Sequence, residues 1–169
     1  RHNITNILLA ITAAQVIGLN LEMIIERLKT LAPTPHRLQL IHRPDNINII
    51  DDSYNSNPVG VKMALEALSL FTGGNKILVT PGMIELGPIE ETENYKLGVM
   101  ASSICDQIIL VGGEHTRPIY NGVLSSGYNI DNLFQAKSLT DALVELNKNS
   151  KPGDTILLLN DLPDLYESF

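Results

Sequence analysis

The sequence is poor in cysteine and aromatic residues, and it contains no long hydrophobic segment. Its 169 residues include one cysteine, no tryptophan, three phenylalanines and five tyrosines. A single cysteine, Cys105, excludes an internal disulfide and fits a reducing compartment. Its apolar surroundings predict that it is a core residue rather than a nucleophile. No apolar run approaches the roughly 18 residues of a membrane span, so we expect a cytoplasmic protein with no membrane partner.

The chain also has too few basic residues for a general nucleic-acid-binding protein. Its formal net charge is −7 and its pI is near 5.0. Because nucleic-acid binding requires a basic face that displaces counterions, no nucleic-acid partner is expected. A nucleotide ligand remains open, since one phosphate group requires only a local site. The start, "RHNITNILLA", lacks both the layout of a signal peptide and an initiator methionine, which predicts a fragment of a longer protein.

Several common ligand-binding patterns are missing as well. The sequence has neither the P-loop pattern G-x-x-x-x-G-K-[ST] nor the dinucleotide pattern G-x-G-x-x-G. Its four histidines lack metal-binding spacing, and one cysteine adds little to them, so no metal site is predicted in this chain.

The periodicity of apolar residues predicts an α/β protein. Residues 4–32 show two stretches of helical spacing, and from Leu38 onward short apolar runs alternate with helical segments. The runs "KILV", "QIILV" and "TILLL" are apolar throughout, which is typical of parallel strands buried on both faces. We therefore predict a Rossmann-like, mostly parallel sheet of about six strands flanked by helices, preceded by a short helical segment.

The most unusual stretch is "NIIDDSYNSNP", residues 48–58, at a predicted strand-to-helix corner. It holds seven consecutive polar residues, more than a turn requires. Asp52 could bond ribose hydroxyls or a metal-bound water, and Tyr54 offers a flat face to a base. The next three residues precede a helix N-terminus, which favours an anion; they are Asn55, Ser56 and Asn57. The alternative is a polar turn in which Asn57 caps the helix and Pro58 opens it.

Other candidate residues lie on loops expected at the same edge of the sheet. Arg37 follows two prolines and is either a phosphate ligand or a solvated charge. Glu85 lies in "GMIELG", and its pattern alone favours a surface carboxylate. Asn160 and Asp161 follow the last predicted strand.

Several segments, taken in order, resemble the Mur ligase superfamily. They are "HNITNILLAITAAQVIGL", "PHRLQLI", "IIDDSYNSNPVGVKMALEAL", "VTPGMIELG" and "IILVGG". This superfamily contains ATP-dependent amide-forming ligases of peptidoglycan precursor synthesis, and the corner is most similar to members that add D-Ala-D-Ala to a UDP-MurNAc peptide. The resemblance implies that residues 33–169 are the C-terminal Rossmann-like domain. It also implies that residues 1–32 are the closing helices of a central ATPase domain, so this fragment alone should be inactive.

The resemblance also implies roles for the candidate residues. Arg37 matches an arginine that reaches ATP, and Asp52 matches an acidic residue near the nucleotide. The loop that faces ATP and the incoming amine comprises Tyr54, Asn55, Ser56 and Asn57. Substrate-binding roles are expected for Glu85, Asn160 and Asp161. The implied reaction forms an acyl phosphate that D-Ala-D-Ala attacks, with Mg²⁺ and most of the ATP contacts on the central domain.

Two departures from the family pattern leave the amino acceptor open. The family loop "GDM-x-ELG" reads "PGMIELG" here, and the usual "KGSR" loop is replaced by "NDLPD". A ligase with another amino acceptor is therefore one alternative. The others are a non-catalytic Rossmann-like nucleotide-binding module and a structural α/β domain with polar turns.

Overall fold

The computed structural model describes residues 4–32 and 34–160 and divides the chain into two compact units, with the boundary between Thr34 and Pro35. The first unit holds the two predicted helices, α1 (Ile4–Val16) and α2 (Leu21–Lys29). Asn20 caps α2, because its side chain accepts a hydrogen bond of 2.9 Å from the Met23 amide. No residue of α1 is buried, so this pair leaves much apolar surface exposed.

The second unit contains the alternating strands and helices that the sequence predicts. Its strands are β1 (Gln39–His42), β2 (Asn48–Asp52), β3 (Lys76–Thr80), β4 (Gln107–Val111), β5 (Leu133–Ala136) and β6 (Thr155–Leu159). Its α-helices are α3 (Pro58–Ser69), α4 (Glu90–Ser102), α5 (Arg117–Ser125) and α6 (Leu139–Asn149). Short 3₁₀ helices cover Gly87–Ile89, Glu114–Thr116 and Ile130–Asn132. Within the described ranges, no helix is long and apolar enough to cross a membrane.

The six strands form one sheet in the order β1-β2-β6-β3-β4-β5. The edge strand β1 runs antiparallel to β2, and every other pair is parallel. The predicted mostly parallel α/β fold is therefore confirmed. The last strand of the described ranges, β6, lies between β2 and β3 and pairs with both. Because of this insertion, Asn160, the last described residue, follows a strand in the middle of the sheet.

Helices cover both faces of the sheet, and each face has its own apolar core. Helices α3, α4 and α5 pack on one face, where the buried side chains include Leu65, Leu97 and Ile119. Helix α6 packs on the other face through Leu139, Ala142 and Leu146. The strand residues alternate between these two cores, which explains why β3, β4 and β6 read as continuous apolar runs.

Helices α4 and α5 approach each other closely through two glycines. A Cβ atom at Gly98 of α4 would overlap the carbonyl oxygen of Ile119, and one at Gly122 of α5 would overlap that of Tyr95. Both glycines are buried. The missing side chains therefore allow the two backbones to come into direct contact.

Cys105 should resist alkylation in the folded protein. The side chain is 5% exposed and belongs to the larger core, which confirms the prediction. Burial, reinforced by the nearby Asp106, raises the pKa of the thiol to about 12. Because the thiolate is the reactive form, very little of this thiol is reactive at pH 8 in the folded protein. Labelling with iodoacetamide should be slow in buffer and complete in urea, and rapid native labelling would contradict this burial.

Candidate functional site

The candidate site lies where the carboxyl ends of β2, β6 and β3 come together. Because β6 is inserted between the other two strands, Asn160 at its end lies between the polar corner after β2 and the loop after β3. The Asn160 amide donates a backbone hydrogen bond of 3.1 Å to the Asp52 carbonyl. Ligands of open α/β sheets bind at this edge, so the topology places the predicted corner where a ligand is expected.

A buried network fixes the start of the corner. The Ser53 amide and hydroxyl both donate to Asp51 Oδ1, at 3.1 and 2.6 Å. The other carboxylate oxygen, Oδ2, lies 2.9 Å from His36 Nδ1, which is also 3.2 Å from Ser53 Oγ. A carboxylate only accepts, so Nδ1 donates to it. Asp51 and Ser53 are 7% and 3% exposed. This buried network therefore fixes the side chain of His36 against the end of β2.

Arg37 lies on the exposed part of the corner. Its guanidinium carbon is 3.9 Å from the centroid of the Tyr54 ring, and its Nη1 donates to the Asn55 carbonyl at 3.3 Å. The Tyr54 side chain is 48% exposed. Next to them, Asp52 Oδ1 accepts a hydrogen bond of 2.9 Å from the Leu38 amide. The structure thus brings together Arg37, Asp52, Tyr54 and Asn55, although they come from two separate segments.

The middle of the corner is held by Asn160. Its Oδ1 accepts a hydrogen bond of 2.9 Å from the Ser56 amide, and its Nδ2 donates to the Gly82 carbonyl. The side chain is 1% exposed and the backbone has φ 67°, a left-handed conformation that asparagine tolerates. One buried amide therefore connects the loops that follow β2 and β3.

Asn57 ends the corner and begins α3. Its side chain accepts a hydrogen bond of 2.9 Å from the Gly60 amide, and Pro58 follows at the first helical position. The prediction of a capped helix is confirmed. Since this oxygen already satisfies one of the free amides, Asn57 contributes to positioning the helix N-terminus.

The two departures from the family pattern are in contact in the structure. Gly82 occupies the place of the aspartate in the "GDM" pattern, and its carbonyl accepts the hydrogen bond from Asn160, which begins the altered "NDLPD" stretch. Gly82 has φ +90°, and a Cβ there would lie 2.9 Å from Ile119 Cδ1 and 3.0 Å from Asn94 Oδ1. An aspartate at residue 82 would therefore clash and strain the backbone. The neighbouring loop is fixed by Asn94, which exchanges two hydrogen bonds of 2.8 Å with the Met83 backbone.

Glu85 and Asp161 are not joined to this arrangement. Glu85 is exposed in the loop between β3 and α4, and no hydrogen bond or ion pair links it to the corner within the described ranges. Its substrate-binding role stays a prediction. Asp161 lies outside the described residues. The substrate-binding role of Asn160 also stays a prediction, and its amide is already bonded within the protein.

Several structural residues of the site were not identified from the sequence, among them His36, Asp51 and Gly82. For Asp51 a signal existed, because an aspartate two residues before a serine is typical of an Asx turn. The contact of His36 with Asp51 spans 15 residues and has no local pattern. Gly82 was recognised only as a missing aspartate, and its close contacts come from helices distant in sequence.

The chemistry of the corner suits an anionic ligand that carries a flat ring. Arg37 provides an exposed cation, α3 provides a helix N-terminus, and Tyr54 provides a half-exposed ring. No group of three or more His, Cys, Asp or Glu side chains suited to a metal ion occurs among residues 4–32 and 34–160.

Comparison with known proteins agrees with the fold and with the sequence pattern. The family described as "Mur ligase, glutamate ligase domain" matches residues 36–160. The UDP-N-acetylmuramoyl-tripeptide–D-alanyl-D-alanine ligase of Bacillus subtilis (strain 168) is 31% identical over 158 residues, which cover 93% of this chain and 34% of that protein. The UDP-N-acetylmuramoylalanine–D-glutamate ligase of Clostridioides difficile (strain 630) is 28% identical over 171 residues, covering 99% of this chain and 35% of that protein.

Solved structures give the same result. A crystal structure of MurF from Acinetobacter baumannii superimposes with a TM-score of 0.79 at 27% identity, over 96% of this chain and 35% of the other. MurF from Thermotoga maritima, in complex with ADP, has a TM-score of 0.73 at 21% identity over 89% of this chain and 32% of the other, a likeness of fold. The chain spans about one third of the length of these relatives. Since the family pattern covers most of the chain, this protein belongs to the Mur ligase, glutamate ligase domain family.

Proposed function

We propose that this chain is the C-terminal part of a cytoplasmic, ATP-dependent ligase that adds D-Ala-D-Ala to a UDP-MurNAc peptide in peptidoglycan synthesis. The observation that carries the proposal is the corner at the carboxyl edge of β2, where Arg37 is stacked on Tyr54 beside the N-terminus of α3. The similarity to a UDP-N-acetylmuramoyl-tripeptide–D-alanyl-D-alanine ligase over 93% of the chain supports the reaction class. The ADP bound by the Thermotoga maritima relative supports a nucleotide ligand.

In this proposal the reaction has two steps. A carboxylate oxygen of the UDP-MurNAc peptide attacks the γ-phosphorus of ATP, the bond to the β-phosphate oxygen breaks, and ADP leaves. The amine of D-Ala-D-Ala then attacks the acyl carbon of the resulting acyl phosphate. Phosphate leaves with the bonding electron pair, and the amine loses a proton as the amide forms. Phosphoryl transfer of this kind depends on positioning and on stabilising negative charge.

The residues of this chain would act on the nucleotide side of that reaction. Arg37 would contact a phosphate or ribose oxygen, because its planar guanidinium presents several donors in a fixed arrangement. The exposed ring of Tyr54 would stack either on the base or on the guanidinium of Arg37. The helix N-terminus after Asn57 would favour the same negative charge. Mg²⁺ and the P-loop would be supplied by a central domain, of which residues 1–32 would be the closing helices.

The proposal is tested with the full-length protein, ATP, Mg²⁺ and UDP-MurNAc-tripeptide, by measuring phosphate release. We expect release to depend on D-Ala-D-Ala and to be absent when the 169-residue chain replaces the full-length protein. The controls omit either the UDP-MurNAc-tripeptide or the amine. Release with another amine would retain the ligase mechanism but replace the acceptor. No release with any amine would contradict the proposal.

A different amino acceptor is the second candidate, and a specific observation favours it. Asn160 and Gly82 replace a basic and an acidic residue of the family pattern, and they form one neutral contact at the edge of the site. An acceptor whose carboxylate requires a lysine would lose that partner. Single amino acids and ammonia therefore belong in the same assay. A non-catalytic module would be favoured if the gene encodes no P-loop upstream of this chain.

A further inference from the structure

The corner that carries Arg37, Tyr54 and Asn55 has little apolar support of its own. Tyr54, Asn55 and Asn57 are all exposed, and only Ser53 and Ser56 among residues 53–57 are buried. The polar contacts of those two buried residues therefore contribute to its conformation, together with the helix cap of Asn57 and the contacts of Arg37. Ser53 is held by Asp51, which belongs to the same strand end. Ser56 is held by a residue 104 positions away in the sequence, Asn160.

The side chain of Asn160 is buried and engaged in that contact. Its side chain is 1% exposed, and its two amide atoms bond to different loops, the Ser56 amide on one side and the Gly82 carbonyl on the other. Its own amide donates to the carbonyl of Asp52 at the end of β2, so one residue connects this strand end with the two loops. Its backbone is left-handed, with φ 67°, directly after the last residue of β6. Buried polar groups with all partners satisfied fix one geometry, because any other arrangement leaves a donor or acceptor unpaired.

We infer that Asn160 is a positioning residue, which sets the conformation of residues 53–57 and through them the geometry of the nucleotide contacts. The Ser56 amide that it holds follows directly on Asn55, whose carbonyl accepts the hydrogen bond from Arg37. Loss of the Asn160 side chain would therefore free the peptide group between Asn55 and Ser56, whose carbonyl orients Arg37. The consequence for ATP rests on the proposed function, whereas the effect on the corner does not.

The test compares Asn160→Gly with Asn46→Gly. Both asparagines have a left-handed backbone, with φ 67° and 63°, so glycine relieves the backbone equally and the side chain is the difference. Asn46 lies exposed in the turn between β1 and β2 and is the matched control. In the 169-residue chain, Asn160→Gly should accelerate hydrogen exchange of the Ser56 amide about tenfold or more, and Asn46→Gly should leave it unchanged.

The second measurement uses the full-length enzyme. Asn160→Gly should raise the KM for ATP about tenfold or more, while kcat at saturating ATP falls less, because the nucleotide contacts are misplaced rather than removed. A general loss of stability would lower the active fraction without changing KM. Unchanged Ser56 exchange, or accelerated exchange with an unchanged KM for ATP, would overturn the inference. A wild-type enzyme that does not use ATP would contradict the proposed function, and the exchange measurement would still decide the role of Asn160 in the corner.

Discussion

Replacing Gly98 by alanine should lower the free energy of unfolding by about 3 kcal/mol or more. The added Cβ would overlap the Ile119 carbonyl oxygen and would lie 3.0 Å from the Val123 amide nitrogen. Both neighbours are helix backbone, which cannot rotate away as a side chain could. Helices α4 and α5 would have to separate, and their contacts with the sheet would weaken. For a domain of this size the midpoint of thermal unfolding should fall by about 10 °C.

Gly60→Ala is the matched control for this prediction. Gly60 lies in α3, and a Cβ there would meet only Asn57 Oδ1 at 3.6 Å, an ordinary contact. Because alanine favours a helix over glycine, this variant should be unchanged or more stable by up to about 1 kcal/mol. Urea unfolding followed by far-UV circular dichroism suits a chain without tryptophan. If Gly98→Ala unfolded at the same urea concentration as Gly60→Ala, the direct contact between the backbones of α4 and α5 would be contradicted.

Replacing Arg37 by alanine in the full-length enzyme should lower kcat/KM for ATP by about 100-fold, the usual effect of removing one donor to a developing charge. Arg37 is exposed, and its contacts are the Tyr54 ring and one carbonyl, so its removal should have little effect on folding. Arg37→Lys should recover part of the activity, because lysine keeps the positive charge but loses the planar stack and the paired donors. Steady-state phosphate release against ATP concentration measures both variants.

Arg43→Ala provides the control for the loss of a positive charge. Arg43 lies in the turn after β1 and pairs with Asp45 at 2.7 Å, away from the corner. Such a partly exposed pair contributes little to stability, so both turnover and unfolding should stay close to wild type. Equal activity of Arg37→Ala and Arg43→Ala would remove Arg37 from the proposed nucleotide site.

Much of the fold could be predicted from local patterns. The continuous apolar runs of β3, β4 and β6 identify buried strands, because only a strand covered on both faces can place apolar residues at every position. The cap on α3 follows equally directly, since Asn57 and Pro58 are the residue types that satisfy and begin a helix. Predictions of this kind succeed because the energies that decide them lie within a few neighbouring residues.

The candidate site was predictable in part. The excess of polar residues after β2 identified the corner, and the resemblance to the Mur ligases favoured a nucleotide contact for Arg37 over a solvated charge; the structure places Arg37 on Tyr54. The supporting contacts could not be predicted. The hydrogen bonds of His36 with Asp51 and of Ser56 with Asn160 join residues 15 and 104 positions apart, and no local pattern indicates either pairing.

The sequence by itself determined the order and type of the elements, the polar corner and the family of this protein. Only the tertiary structure decided that β6 enters the sheet between β2 and β3, which brings Asn160 against Ser56 and Gly82. The physical reason is that an apolar strand satisfies its burial at any central position of a parallel sheet. Its place is chosen by the packing of helices α3 to α6 on the two faces and by the pairing of distant strands. The contacts at the site follow from that choice.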